Sequence, residues 1–310
     1  MVPIIEVNQL TKRYRGAQVN AVDGVTFQVS PGEFFTLLGP NGAGKTTTIS
    51  ILTTTLAPTS GFARIAGHDL AREPSEVRQN VGIIFQQASL DMNLTGEENI
   101  RFHATLYGLY PFQLSYGMMP KKYRQQVDDL ATLLGLEGEI FKPVKKYSGG
   151  MRRKLEIMRS LLHRPRVLFL DEPTAGLDPI SRRSLWEYLG QVRRESGTTI
   201  FLTTHYLDEA EEADSICILN HGRVISHGSP VEVKSKLIER YLLIDSTDHD
   251  ALRSELTQHG IGFVETPLFK IDLNHRSVQD IIKRIDTPLN MVKTHVPTLE
   301  DAYLEIVGQS

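Results

Sequence analysis

The chain has 310 residues, 40% of them hydrophobic, which is enough to bury one large core and a smaller second one. Its 34 basic and 37 acidic residues leave a formal net charge of -3, so no basic excess points to nucleic acid. The single cysteine, Cys217, excludes an internal disulfide and fits a reducing compartment.

In chain order, short apolar runs bounded by Gly and Pro predict strands at Ile4–Leu10, Val25–Val29, Phe34–Leu38 and Gly61–Ile65. Between the last two lies Gly39-Pro40-Asn41-Gly42-Ala43-Gly44-Lys45-Thr46-Thr47, a Gly-rich turn followed from Thr46 to Leu52 by a helix start without Gly or Pro. A strand, such a turn and a helix N-terminus aim backbone N–H groups at an anion, with the helix dipole adding to the attraction. Lys45 supplies a cation for phosphates and Thr46 a hydroxyl for Mg²⁺, the pattern of a nucleotide phosphate loop.

Residues 89 to 162 read as largely helical, ending in a basic amphipathic helix, Met151 to Leu162. Strands resume at Val167–Leu170, Thr199–Thr204, Ser215–Leu219 and Arg223–His227, and the alternation argues for a parallel α/β core. The strand ending at Leu170 runs into Asp171-Glu172-Pro173, a carboxylate pair suited to metal and water. Cys217 falls in an apolar strand, where a thiol is inert.

The ordered set from residue 4 to about 230 resembles the nucleotide-binding subunit of an ABC transporter. Tyr14 matches the aromatic that stacks on adenine, although packing near a strand is its other reading. Gln86, in preference to Gln87, matches the Q-loop glutamine, and Ser148-Gly149-Gly150 the signature loop. Asp171 and Glu172 match the Walker B pair, Asp178 the D-loop aspartate and His205 the switch histidine. Tyr147-Ser-Gly-Gly-Met-Arg-Arg153, with Thr204 to Ala210, resembles the daunorubicin-resistance type of exporter ATPase.

That resemblance implies a phosphate-loop ABC ATPase core with a parallel sheet, an N-terminal antiparallel β part and a helical insert at about 89–162, all within 1–235. A small C-terminal α+β domain would occupy 236–310. It further implies ATP and Mg²⁺ as cofactors and a homodimer in which Ser148, Gly149 and Gly150 serve the other copy's ATP. Thr46, Gln86 and Asp171 would hold Mg²⁺, Glu172 would act as general base, and His205 would contact the γ-phosphate. Asp178 would cap the helix starting near Pro179 and also lie at the dimer interface.

No apolar run approaches the roughly 20 residues of a membrane helix, and the N-terminus lacks the pattern of a signal peptide. Transport would thus require a separate membrane permease, with this chain cytoplasmic and peripheral on the inner face of the membrane. The cargo class implied is drug-like, lipid or polysaccharide. The alternative is a soluble ABC ATPase acting on a non-membrane partner, which one phosphate loop and the absence of sustained heptads disfavour.

Three further expectations concern the rest of the chain. Within the insert, Tyr110 to Met119 are expected to be exposed, with core packing the alternative. Arg152, Arg153 and Lys154 are expected on the solvated face of their helix, with an electrostatic role at the phosphates as the alternative. Beyond residue 236, strands are expected at Tyr241–Ile244, Phe263–Val264, Phe269–Leu273 and Met291–Val296. Helices are expected at Asp250–His259, Ser277–Ile285 and Leu299–Val307, the last opening on a capping box at Thr298 to Asp301. A dimer or permease contact and a plain stabilising cap both remain open for that tail.

Overall fold

The computed structural model describes residues 2–86, 89–237, 241–273, 276–295, 298–301 and 303, with side chains of 235–237 left undescribed. Gln87, Val296, Pro297 and most of the expected helix Leu299–Val307 therefore lie outside the described residues. The chain forms two compact units, residues 1–227 and 228–310.

The first unit opens with β1 (Ile5–Lys12), β2 (Val22–Val29), β3 (Phe34–Leu38) and α1 (Lys45–Leu52). Next come β4 (Ser60–Ile65), β5 (His68–Asp69), α2 (Pro74–Asn80) and β6 (Val81–Ile84). The insert contributes α3 (Gly96–Leu106), α4 (Lys121–Leu134) and α5 (Gly149–Leu161). The unit ends with β7 (Val167–Asp171), α6 (Pro179–Ser196), β8 (Thr199–Thr204), α7 (Leu207–Glu211), β9 (Ser215–Asn220) and β10 (Arg223–Gly228). Four of these, β5, α2, β6 and α7, were not among the expected elements. Val81–Ile84 is short and its apolar run leads straight into Phe85, so its edge position becomes evident only from its pairing with β7.

Two sheets build this unit. A four-stranded sheet has the order β2-β1-β4-β5, antiparallel at each pairing, and a six-stranded sheet has the order β10-β9-β3-β8-β7-β6. The pairings β3 with β8 and β9, and β7 with β6 and β8, are parallel. β3, β7 and β8 are buried at every position, as continuous apolar runs covered on both faces should be. Phe27 of the antiparallel sheet stacks on Phe35 at 5.1 Å, Phe35 on Phe201 at 5.0 Å, and Phe201 lies 5.1 Å from Phe169. This file of rings joins the two sheets into one core, each fully buried ring contributing about 1.5–3 kcal/mol.

Parallel register brings chain ends together. Leu38 pairs with Thr204, Asp171 with Thr203, and Ile84 with Leu170. Residues that follow these positions, including Gly39, Gln86, Glu172 and His205, therefore leave the sheet along one edge, the carboxyl ends of its strands.

The insert is held by a buried ionic cluster. Arg101 Nε donates to Glu97 Oε1 at 3.1 Å, Tyr123 Oη donates to the same oxygen at 3.2 Å, and Arg101 Nη1 reaches Gln113 O at 2.5 Å. Thr95 and Glu98 close a reciprocal capping box at the start of α3. The segment between α3 and α4 is only partly exposed: Phe112, Leu114 and Met118 face solvent, whereas Met119 is buried. Met119 therefore corrects the expectation of exposure, and Tyr116 is fixed by Oη donating to Asp128 Oδ1 at 2.7 Å.

The second unit contains α8 (Pro230–Leu237), β11 (Tyr241–Ser246), α9 (His249–Gln258), β12 (Val264–Thr266), β13 (Leu268–Asp272), α10 (Val278–Ile282) and β14 (Leu289–His295). Its sheet has the order β12-β13-β11-β14 and is antiparallel. Leu242, Ile244, Phe269 and Ile271 pack with Leu252 and Leu256 of α9 and Ile281 of α10. α10 is shorter than the expected Ser277–Ile285, and β12 begins a residue later than expected. Thr298 N and Oγ1 donate to Asp301 Oδ2 at 2.9 and 2.7 Å, and Asp301 N returns a bond to Thr298 Oγ1 at 3.1 Å, which closes the capping box read from sequence.

Candidate functional site

The site begins at the end of β3. Gly44 caps α1 with φ +102°, a conformation other residue types adopt only with strain, and a Cβ there would stand 2.4 Å from Ala21 O. A Cβ on Gly39 would meet Leu219 O at 2.4 Å. The loop thus threads between two backbone segments that leave no room for side chains. Lys45 lies over it, 5% exposed, with Nζ donating to Gly39 O at 2.7 Å and Pro40 O at 3.2 Å. Burial pushes the Lys45 pKa down, and Glu172, with Oε1 at 3.6 Å, pulls it back up.

Asp171 closes β7. Its Oδ1 accepts from Thr203 Oγ1 at 2.5 Å and from Thr46 Oγ1 at 3.5 Å. Burial raises its pKa, against the Thr203 hydrogen bond. The carboxylate of Asp171, the hydroxyl of Thr46 and the amide oxygen of Gln86 are hard oxygen donors of the kind that suits Mg²⁺.

Glu172 turns away from the strand at φ +45°, a left-handed conformation that is costly for a non-glycine residue. Its backbone N–H is satisfied by Thr203 O at 3.1 Å and Thr203 Oγ1 at 3.2 Å. The side chain then meets three partners: Gln86 Nε2 at 3.2 Å from Oε2, and His205 Nδ1 at 3.2 Å and Lys45 Nζ at 3.6 Å from Oε1. Five residues spread from position 45 to 205 thus converge on one carboxylate pair.

Tyr14 is half exposed, with Oη 3.3 Å from Thr47 Oγ1, which sets its ring beside the start of α1. Asn41, Gly42, Ala43 and Thr47 complete the loop and the first turn of α1.

Ser148 is the N-cap of α5, its Oγ accepting from Met151 N at 3.2 Å, so the helix begins at Gly149 and not at Met151. Gly149 and Gly150 face Leu177 and Ser181 of the same chain. Among the described residues, no hydrogen bond joins Ser148 to Gly150 with the phosphate loop. Asp178 caps α6, accepting from Ile180 N at 3.1 Å and from Ser181 N and Oγ at 3.0 and 2.6 Å, and these bonds hold its pKa down.

The geometry adds residues that the sequence reading missed. Thr203 braces both Asp171 and Glu172. Glu209 is 2% exposed and accepts from Thr174 Oγ1 and, at 2.6 Å, from Thr204 Oγ1, so one carboxylate ties the turn after Glu172 to the residue before His205. Arg153 corrects the expectation of a solvated face. It is 7% exposed, with Nε donating to Pro173 O at 2.9 Å and Nη1 to Phe85 O at 2.7 Å. The signal was available in part: Leu155, Ile157, Met158 and Leu161 crowd this helix with apolar side chains and leave little room for a polar face. Cys217 is fully buried in β9, where burial raises its pKa.

A family model described as ABC transporter matches residues 22–175. Over 234 residues the chain is 44% identical to the daunorubicin/doxorubicin resistance ATP-binding protein DrrA of Streptomyces peucetius, covering 75% of this chain and 67% of that relative. The chain belongs to the ABC transporter ATP-binding family. The chain is also 35% identical over 312 residues to the Nod factor export ATP-binding protein I of Paraburkholderia xenovorans (strain LB400), covering 98% of this chain and 97% of the relative. A solved ATP-binding subunit of an ABC transporter is 32% identical with TM-score 0.64, over 75% of this chain and 92% of that one. The ATP-binding cassette MJ0796, solved as a post-hydrolysis dimer bound to ADP and Pi, is 25% identical with TM-score 0.64 over 73% of this chain and 98% of its own.

Membership makes this chain an ATP-hydrolysing cassette, the ATPase subunit of a transporter of the exporter type, and disfavours the soluble-partner alternative. Among the described residues, no helix is long and apolar enough to cross a membrane.

Proposed function

We propose that this ABC ATPase binds ATP and Mg²⁺ between two copies of itself and drives a separate membrane permease that exports its cargo. The observation that carries the reading is the convergence of Lys45, Gln86 and His205 on Glu172, next to Asp171 and Thr46. ATP hydrolysis passes through a loose transition state, so positioned charge matters more than covalent chemistry. Lys45 and the loop amides would hold the β- and γ-phosphates. Thr46, Asp171 and Gln86 would hold Mg²⁺, which when bound offsets phosphate charge. Glu172 would take a proton from the attacking water, and His205 would keep that carboxylate oriented while contacting the γ-phosphate. Lys45 Nζ and His205 Nδ1 both lie against Glu172 Oε1, so the groups that would meet the γ-phosphate also border the proposed base.

Tyr14 would stack on adenine. Ser148, Gly149 and Gly150 would serve the partner copy's ATP, and Asp178 would sit at that interface. Residues 1–235 would form the ATPase domain, 236–310 an accessory domain, and the subunit would lie on the cytoplasmic face of the membrane. The cargo would be drug-like, lipid or polysaccharide, and the relatives named for daunorubicin and doxorubicin resistance support the first of these.

The test is Glu172→Gln, measured for turnover and by size-exclusion chromatography with and without ATP at two concentrations. Turnover should fall about 10²–10⁴-fold while ATP shifts monomer to dimer. Turnover near wild type would rule out the general base. A monomer that persists with ATP, alone and with the permease, would rule out the shared site.

A further inference from the structure

Three polar side chains on α5 grip the segment around Gln86. Arg153 Nη1 donates to Phe85 O at 2.7 Å, and Glu156 Oε1 accepts from Ser89 N at 3.0 Å. Arg159 Nη1 and Nη2 reach Ser89 O and Oγ at 2.8 and 2.5 Å. One helix therefore holds the chain at Phe85, next to Gln86, and again at Ser89. The same Arg153 donates to Pro173 O at 2.9 Å and to Asp171 O at 3.4 Å, on either side of Glu172. Arg153 and Glu156 complete each other through a bond of 2.9 Å and are 7% and 2% exposed.

A buried ion pair is worth its desolvation cost only when nearly every donor and acceptor is engaged. Here the guanidinium binds three backbone carbonyls and a carboxylate, and the carboxylate's second oxygen binds a backbone amide. That arrangement does not hold a core together, since apolar side chains would pack the same space at lower cost. It fixes the relative placement of three parts of the chain: Phe85, which precedes Gln86, the 171–173 turn carrying Glu172, and α5, whose N-cap is Ser148.

We propose that Arg153 and Glu156 are positioning residues that hold Gln86 on Glu172, and that through them the helix bearing Ser148 sets the hydrolytic competence of its own chain. The proposal rests on the roles given above to Gln86 and Glu172. A displacement of α5, such as one following engagement of Ser148 by a partner's nucleotide, changes the 3.2 Å contact between Gln86 Nε2 and Glu172 Oε2. ATP binding at Lys45 does not pass through this pair, so the pair governs turnover and not affinity.

The experiment uses the purified full chain and measures kcat, KM for ATP, ATP affinity and Tm. The variants are Arg153→Met, Arg153→Lys and the double variant Arg153→Met/Glu156→Met, each also on a Gln86→Ala background. The double variant removes both charges and keeps the volume, so it folds even where the single variant leaves Glu156 unpaired and does not. Arg153→Met and the double variant should lower kcat about tenfold or more, as misplacement of a catalytic group does, with ATP affinity within about threefold. Arg153→Lys should recover only part of the loss, because an ammonium cannot span the same acceptors. On the Gln86→Ala background the double variant should cost less than about twofold, since residues acting through one another are not additive.

A double variant with wild-type kcat, or losses that multiply fully with Gln86→Ala, overturns the proposal and leaves the pair structural. Glu172→Gln measured alongside separates the two levels. If that variant keeps wild-type turnover, the reading of the site fails. If it is inactive while the double variant hydrolyses normally, only the role of the pair fails.

Discussion

Glu209→Ala isolates a single buried carboxylate that joins the segments carrying Glu172 and His205. Thr174 and Thr204, whose hydroxyls it accepts, are both fully buried, so neither can turn to water when the acceptor is lost. An unsatisfied buried hydroxyl costs about 1–3 kcal/mol, giving about 2–6 kcal/mol for the pair. Relief of a desolvated carboxylate, whose pKa burial raises, offsets part of this and leaves about 2–4 kcal/mol. In a unit of 227 residues, each kcal/mol moves Tm by about 2–4 °C, so the expected loss is about 4–16 °C. Glu209→Gln keeps the volume and one acceptor and should cost about 1 kcal/mol. Because Thr174 follows Glu172 closely and Thr204 precedes His205, kcat should fall more than KM rises in the Ala variant. Thermal unfolding followed by tryptophan fluorescence, with steady-state ATPase on the same preparation, reads both effects. A stability loss under about 1 kcal/mol, or kcat unchanged beside a large Tm loss, refutes the reasoning.

Asp171→Asn should raise the Tm of the nucleotide-free protein while abolishing turnover. Burial raises the Asp171 pKa above its unfolded value of 3.8, so the folded chain holds this proton more firmly and stability falls as pH rises through the interval above that value. The stabilisation by Asn should accordingly be larger at pH 7 than at acid pH, where the Asp171 carboxyl takes up its proton; equal shifts at both would refute it. Lys45→Ala removes a cation that binds two loop carbonyls, and ATP affinity should drop about tenfold to hundredfold, the loss of a charge-assisted bond. Unchanged affinity by equilibrium titration would count against the phosphate role.

What could be read from the residues alone follows their range of action. Phe34–Leu38, Thr199–Thr204 and the cap of α6 by Asp178 depend on patterns within a few residues, and each lies where the sequence put it. The boundaries that shifted, such as the start of α5 at Gly149, turn on cap geometry, where one residue decides. The C-terminal elements were legible as an α+β set, with edges blurred by the short, half-exposed β12.

The sequence by itself determined the α/β core, the Gly-rich phosphate loop and the carboxylates at the end of β7, because local periodicity and loop chemistry specify a strand, a turn and a helix wherever they fold. Only the tertiary structure decided that Arg153 is buried instead of solvated, and that Glu209 bridges Thr174 and Thr204. It alone gave the distances at which Lys45, Gln86 and His205 meet Glu172. Arg153 and Phe85 are 68 positions apart, and Gln86 and Glu172 are 86 apart. A hydrogen bond between such partners leaves no periodic trace in either segment. It exists because parallel register brings the strand ends to one edge, and because a buried charge must find every partner that edge offers.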